Sequence, residues 1–248
     1  FDEEFSEQEV DTWGISVQKL VQRLNEGDLG EISIVLEYFI PGNLLRLDAV
    51  LIGYNSQSQL HVMIVELKEW GQIIGSPDPH HVDIGVSRQP IRQHPAAQLN
   101  HYVTSLRCYH SELQKKNSIQ LNTMSYLPNF TEKNRLFEPP HTIYKANYLR
   151  CCFGKDEEKK LCSFLKESFV NKPVAKQDNE LFINGIYSMS EASLAGISKA
   201  LQGERFVALL DEQRDVKIKA MELIKHACQN NHKLVLVIQG NAGTGKQY

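Results

Sequence analysis

Two neighbouring apolar runs, Leu44 to Ile52 and Val62 to Leu67, carry charge where a buried strand cannot leave it uncompensated. Asp48 stands in the middle of the first run, and the second closes on Glu66-Leu67-Lys68. Side chains alternate along a strand, so Glu66 and Lys68 project from one face while Leu67 turns into the core. The polar connector Tyr54 to Gln59 implies a hairpin, which brings Asp48 to the same face. Two carboxylates beside one ammonium can hold a hard divalent cation such as Mg2+ through oxygen ligands, with the lysine close to an attacking water. On these residues alone, a hairpin with an exposed edge and an ordinary Glu66/Lys68 pair fits as well.

Periodicity supplies the surrounding elements. Apolar residues at helical spacing predict a helix over Thr12 to Leu24, stopped by Asn25-Glu26-Gly27-Asp28, and a strand follows over Ile32 to Ile40. After the charged pair, a connector rich in Gly, Pro and His leads to a short strand at Val82 to Val86. Pro95 then opens a helix reaching Lys116, on which Gln98 and Tyr102 share a face. Ile119 to Leu127 reads as the next strand of the sheet and Glu157 to Phe169 as a helix. Lys172 to Glu180, polar and with a proline, reads as a linker or surface loop, and Ser190 to Leu201 starts a further helix. The order is that of an α/β fold.

Composition narrows the classes. With 42% hydrophobic and 23% charged residues, the 248-residue chain has the balance of a soluble globular protein. No apolar run approaches a membrane span, and no basic then apolar leader opens the chain. The sequence starts at Phe1 without an initiator methionine, as expected of a chain that has been trimmed or whose first residues are missing from it. Five cysteines, an odd number without C-x-x-C spacing, are expected as free thiols in a reducing cytoplasm. Cys151, Cys152 and Cys162 match no usual zinc or iron-sulfur pattern. His80 and His81, in the loop after the charged strand, are within reach of a metal there. The net charge of -3 gives no general polyanion signal, so phosphate contacts fall to a local set: Arg88, Arg92, Lys115, Lys116, Lys133 and Arg135.

A second signal lies near the other end. The apolar run Lys233 to Ile238 reads as a strand leading into Gly240-Asn241-Ala242-Gly243-Thr244-Gly245-Lys246, a match to G-x-x-x-x-G-K. In that setting the glycines let backbone amides approach phosphates and the lysine reaches their outer oxygens. Gln247 replaces the Ser or Thr whose hydroxyl binds Mg2+, and the sequence stops at Tyr248, so the entrance of an ATPase is expected without its catalytic parts.

Leu47-Asp48-Ala49-Val50 and Ile64-Val65-Glu66-Leu67-Lys68 together resemble the core of the PD-(D/E)XK nucleases, with Leu47 where the proline would stand. Gln98-Leu99-Asn100-His101-Tyr102 resembles the Q-x-x-x-Y motif of the RecB-type members. The resemblance implies, for residues 1–188, a restriction-endonuclease-like mixed sheet flanked by helices. It also implies Mg2+ or Mn2+ held by Asp48, Glu66 and the Leu67 carbonyl, Lys68 orienting water, and Gln98 and Tyr102 contacting substrate or bracing the site. Glu9, near the start of the first helix, is the implied further acid, and Glu37 is its competitor. Residues 189–248 resemble the truncated start of a Schlafen-type, superfamily one helicase-like ATPase. There Gln213 would read adenine, and Gly240, Gly243, Thr244, Gly245 and Lys246 would hold phosphate. The whole order resembles bacterial nuclease-helicase proteins that process DNA, including in phage defence. A second copy or the remaining helicase domain is the implied protein partner, with ATP bound only in a longer form. A catalytically silent nucleic-acid-binding or regulatory module for the ATPase is the alternative.

Overall fold

The structure is a computed structural model and describes residues 7–42, 45–86, 90–115, 118–188, 211–230 and 232–237; the side chains of 7–14, 211–218 and 222 fall outside that description. The chain divides into two compact units, Phe1–Ser190 and Glu191–Tyr248.

In the first unit, α1 (Glu7–Glu26) precedes a meander of β1 (Ser33–Phe39), β2 (Arg46–Tyr54) and β3 (Leu60–Leu67). The β2–β3 turn is set by Asn55, whose Oδ1 accepts from the amides of Gln57 at 3.0 Å and Gln59 at 2.9 Å. A small second sheet of β4 (Gly75–Asp78), β5 (His81–Asp83) and β6 (Ile91–Gln93) follows. Then come α2 (Pro95–Tyr109), α3 (Ser111–Gln114), β7 (Gln120–Leu127), α4 (Lys145–Tyr148), β8 (Cys152–Gly154), α5 (Glu158–Ser168) and α6 (Lys176–Ile183). The main sheet has five strands in the order β1-β2-β3-β7-β8. It is mixed: β1, β2 and β3 pair antiparallel, while β7 runs parallel to both β3 and β8.

Helices cover both faces of this sheet, which is why β2 and β3 are buried along nearly their whole length. Val50, Ile52, Val62 and Ile64 pack with Leu99 and Leu106 of α2. Leu51, Met63 and Val65 on the opposite face pack with Leu20 and Leu24 of α1 and with Leu161 and Leu165 of α5. Leu67, expected in the core, is half-buried against this second cluster. Gly53 marks a close approach, since a Cβ there would meet Phe169 Cδ1 at 2.7 Å.

Several expectations need correction. The helix read from Pro95 to Lys116 ends at Tyr109. His110, buried, turns the chain with an extended backbone; its Nδ1 accepts from the Glu112 amide and its Nε2 reaches the Phe182 carbonyl at 2.9 Å. A ring fixed to a distant helix overrides the local helical pattern. Lys172 to Glu180 is no simple loop, because α6 begins at Lys176 and buries Phe182. The strand read at Val82 to Val86 is His81–Asp83, and β4 and β6 beside it went unread.

In the second unit, α7 (Asp211–Gln229) contains Gln213 in its first turn. Residues 232–237 join no strand ladder among the described residues, with Val235 and Val237 86% and 87% exposed, so the expected strand there is not observed. An extended apolar run becomes a strand only with a neighbour to satisfy its amides and carbonyls. The segments Ser190 to Leu201 and Gly240 to Lys246 lie outside the described residues. Among the described residues no helix is long and apolar enough to cross a membrane, and all five cysteines are free.

Candidate active site

Strand register builds the site. Ala49 pairs with Val65, and the same register carried one step further sets Asp48 across from Glu66. On the other side, Leu36 faces Ala49 and Tyr38 faces Leu47, which puts Glu37 across from Asp48. Glu66 in turn pairs with Ser125 of β7. Asp48 and Glu66 belong to the face covered by α2, as the alternation of Val50, Ile52, Val62 and Ile64 requires.

Glu66 is fully buried, and Lys68 Nζ lies 2.5 Å from its Oε1. Asp48 takes a different partner, with Oδ2 accepting from the Leu67 amide at 2.8 Å. On α2, Gln98 Nε2 donates to the Tyr102 hydroxyl at 3.2 Å, which leaves that hydroxyl's proton to act on Glu66. Lys68 and Tyr102 both reach the Glu66 carboxylate, and a carboxylate with two such contacts keeps further lone pairs. Burial, reinforced by repulsion from Asp48, pushes the Glu66 carboxyl up to about 8 against the lowering pull of Lys68 and Tyr102. Burial also works against the Lys68 ammonium, but Glu66 and Asp48 outweigh it and hold its pKa above the usual value. The ammonium further sits over the Trp70 ring at 5.6 Å from its centroid.

Beside this cluster opens a cleft of about 860 Å³ whose lining includes Ser16, Glu37, Asp48, Lys68, Trp70 and Arg92. Glu37 has φ +53, a backbone conformation that side-chain-bearing residues rarely adopt, and its Oε2 lies 2.6 Å from Arg46 Nε. Of the two competing acids, Glu37 therefore lines the cleft, whereas Glu9 is within α1 with its side chain outside the description. Ser16 bonds Glu69, which ties α1 to the end of β3; no sequence pattern announced that contact.

The histidines after β3 go elsewhere. His80 Nδ1 contacts the Tyr144 hydroxyl at 2.5 Å and His81 Nδ1 contacts Asp78 Oδ2 at 2.8 Å. The expectation that they approach the carboxylate pair is thereby corrected, since these contacts knit the small sheet to the turn at His141–Tyr144. His94 belongs to the same knot: it stacks on Tyr144, its Nδ1 caps α2 through the Ala96 amide, and its Nε2 reaches the Leu136 carbonyl. The expected basic set also divides. Lys115, Lys133 and Arg135 pair with Glu112, Glu157 and Glu132, Arg92 lines the cleft, and Arg88 and Lys116 are outside the described residues.

Among the described residues no group of three or more His, Cys, Asp or Glu is arranged to hold a metal. A pair of carboxylates still suits Mg2+, which commonly takes one or two protein carboxylates and completes its shell with water and substrate oxygens. The lone pairs left on Glu66, next to the Asp48 carboxylate, fit that requirement. Comparison of the chain with family models, with curated proteins and with solved structures finds no match.

Proposed function

We propose that the first unit is a metal-dependent nuclease that hydrolyses DNA phosphodiester bonds. The observation that supports it most is Glu66: a fully buried acid that faces Asp48 and is reached by the Lys68 ammonium at 2.5 Å and by the Tyr102 hydroxyl. Two carboxyl groups crowded beside one ammonium repel each other, and a bound divalent cation would relieve that repulsion.

Asp48 and Glu66 would hold Mg2+ or Mn2+, with the Leu67 carbonyl adjoining. Bound there, the ion would activate water and stabilise negative charge developing on the phosphate. Lys68 is placed to orient the attacking water and to offset that same charge, because its ammonium is already fixed against Glu66. Tyr102, steadied by Gln98, holds Glu66 from the α2 side. Glu37 contributes a further acid at the cleft edge. The likeness of residues 189–248 to the opening of a helicase-like ATPase would make this unit the nuclease part of a nuclease-helicase.

Cleavage of plasmid and linear single-stranded DNA with Mg2+, Mn2+ or chelator tests the reading. Wild type should cut with either metal and stop with chelator, and Lys68→Ala should be nearly inactive. Equal cutting by Lys68→Ala, or cutting in chelator, refutes it.

A further inference from the structure

The nuclease motif ends at Lys68, yet the cleft beside it has a second cation that no motif residue supplies. Arg92 lies on β6, with its backbone paired to Val82 of β5. Two residues later His94 caps α2, the helix that carries Gln98 and Tyr102, and the His94 amide donates to the His80 carbonyl at 2.7 Å. Arg92 is thus carried on a strand that pairs with β5 and runs directly into the cap of α2. Its charge is close enough to act on the Lys68 ammonium.

The charges of the cleft give this arginine a task. A nucleic-acid strand passing Asp48 brings a negative charge with every nucleotide, so it needs cationic contacts beyond the one at the reacting phosphate. A guanidinium meets a phosphate through two parallel hydrogen bonds, which fixes orientation as well as charge. Trp70, Ile84 and Val86 line the same cleft and offer apolar surface to the sugar and base attached to that phosphate.

We infer that Arg92 is a substrate-binding residue, gripping a DNA phosphate next to the one positioned at Asp48, Glu66 and Lys68. This rests on the nuclease reading and adds to it a contact on the small sheet. Because the contact is to the backbone, it governs affinity and register without selecting a base sequence.

The test uses the whole chain as wild type, Arg92→Gln and Arg92→Lys. A short fluorescent DNA strand is titrated in Ca2+ at several salt concentrations, cleavage kinetics are measured in Mn2+, and Mn2+ affinity is measured without DNA. Arg92→Gln should weaken DNA binding about tenfold and reduce the salt slope by about one, with KM rising and kcat and Mn2+ affinity holding. Arg92→Lys should restore the salt slope and only part of the affinity, a split that misfolding would not produce. Unchanged affinity and salt slope in Arg92→Gln, with wild type cutting DNA and Asp48→Asn inactive, overturns the Arg92 assignment alone. A wild type that neither binds nor cuts DNA overturns the nuclease reading and this inference with it.

Discussion

Asp48 and Glu66 face each other across the β2–β3 pair but are satisfied differently: Asp48 accepts the Leu67 amide at 2.8 Å, whereas Glu66 is reached by side chains, the Lys68 ammonium at 2.5 Å and the Tyr102 hydroxyl. One carboxylate is anchored by the backbone and the other by side chains. The asymmetry argues that the two will respond differently to substitution.

Glu66→Gln takes from the largely buried Lys68 ammonium its nearest partner, so the melting temperature should fall while cleavage falls at least about a hundredfold. Asp48→Asn should lose a similar share of activity. If the amide turns its nitrogen toward Leu67, it also loses the backbone contact and melts slightly lower. Cleavage rates and thermal melts on both variants check this; full activity in either removes that carboxylate from the site.

Tyr102→Phe keeps the buried ring and deletes the hydroxyl that joins Gln98 to Glu66. Turnover should fall by a larger factor than binding of DNA, and the melting temperature should change little. Equal kcat in the variant and wild type would make the Gln98–Tyr102 pair a purely structural one.

The histidine knot predicts an acid-sensitive fold. Burial pushes His94 down to about 3, helped by the facing imidazoles of His141 and His80, and burial lowers His141 as well. A folded-state pKa below the unfolded value of about 6.5 means that the unfolded chain binds protons first. The knot's contribution is therefore intact above about 6.5 and declines as pH falls toward the folded values, at about 1.4 kcal/mol per pH unit for each histidine whose protonation differs fully between the two states. Urea melts over this range should show the decline. His94→Gln should start less stable at neutral pH, through loss of its cap, and lose stability less steeply on acidification.

Legibility in the sequence tracked the range of the interactions. Alternation along β2 and β3 and the spacing of Gln98 and Tyr102 are local patterns, so the meeting of Asp48, Glu66, Lys68 and Tyr102 could be anticipated. The break at His110 could not, because it depends on a carbonyl 72 residues away. Strands β5 and β6 are three residues each, too short for alternation to register, and with them went the placement of Arg92. The apolar run near Lys233 shows the converse, a strand-like pattern without a ladder in the described residues.

The knot also bears on which ions the cleft can favour. His94 commits both ring nitrogens to backbone groups, and His141 commits its own to the Pro79 carbonyl and the Ser76 hydroxyl. The cleft's described lining includes neither imidazole nor thiol. A divalent ion entering beside Asp48 would meet oxygen donors from the described lining. Zn2+ or Cu2+ would gain there none of the nitrogen or sulfur ligands on which their specific sites are built, so the hard, abundant ions face no privileged competitor.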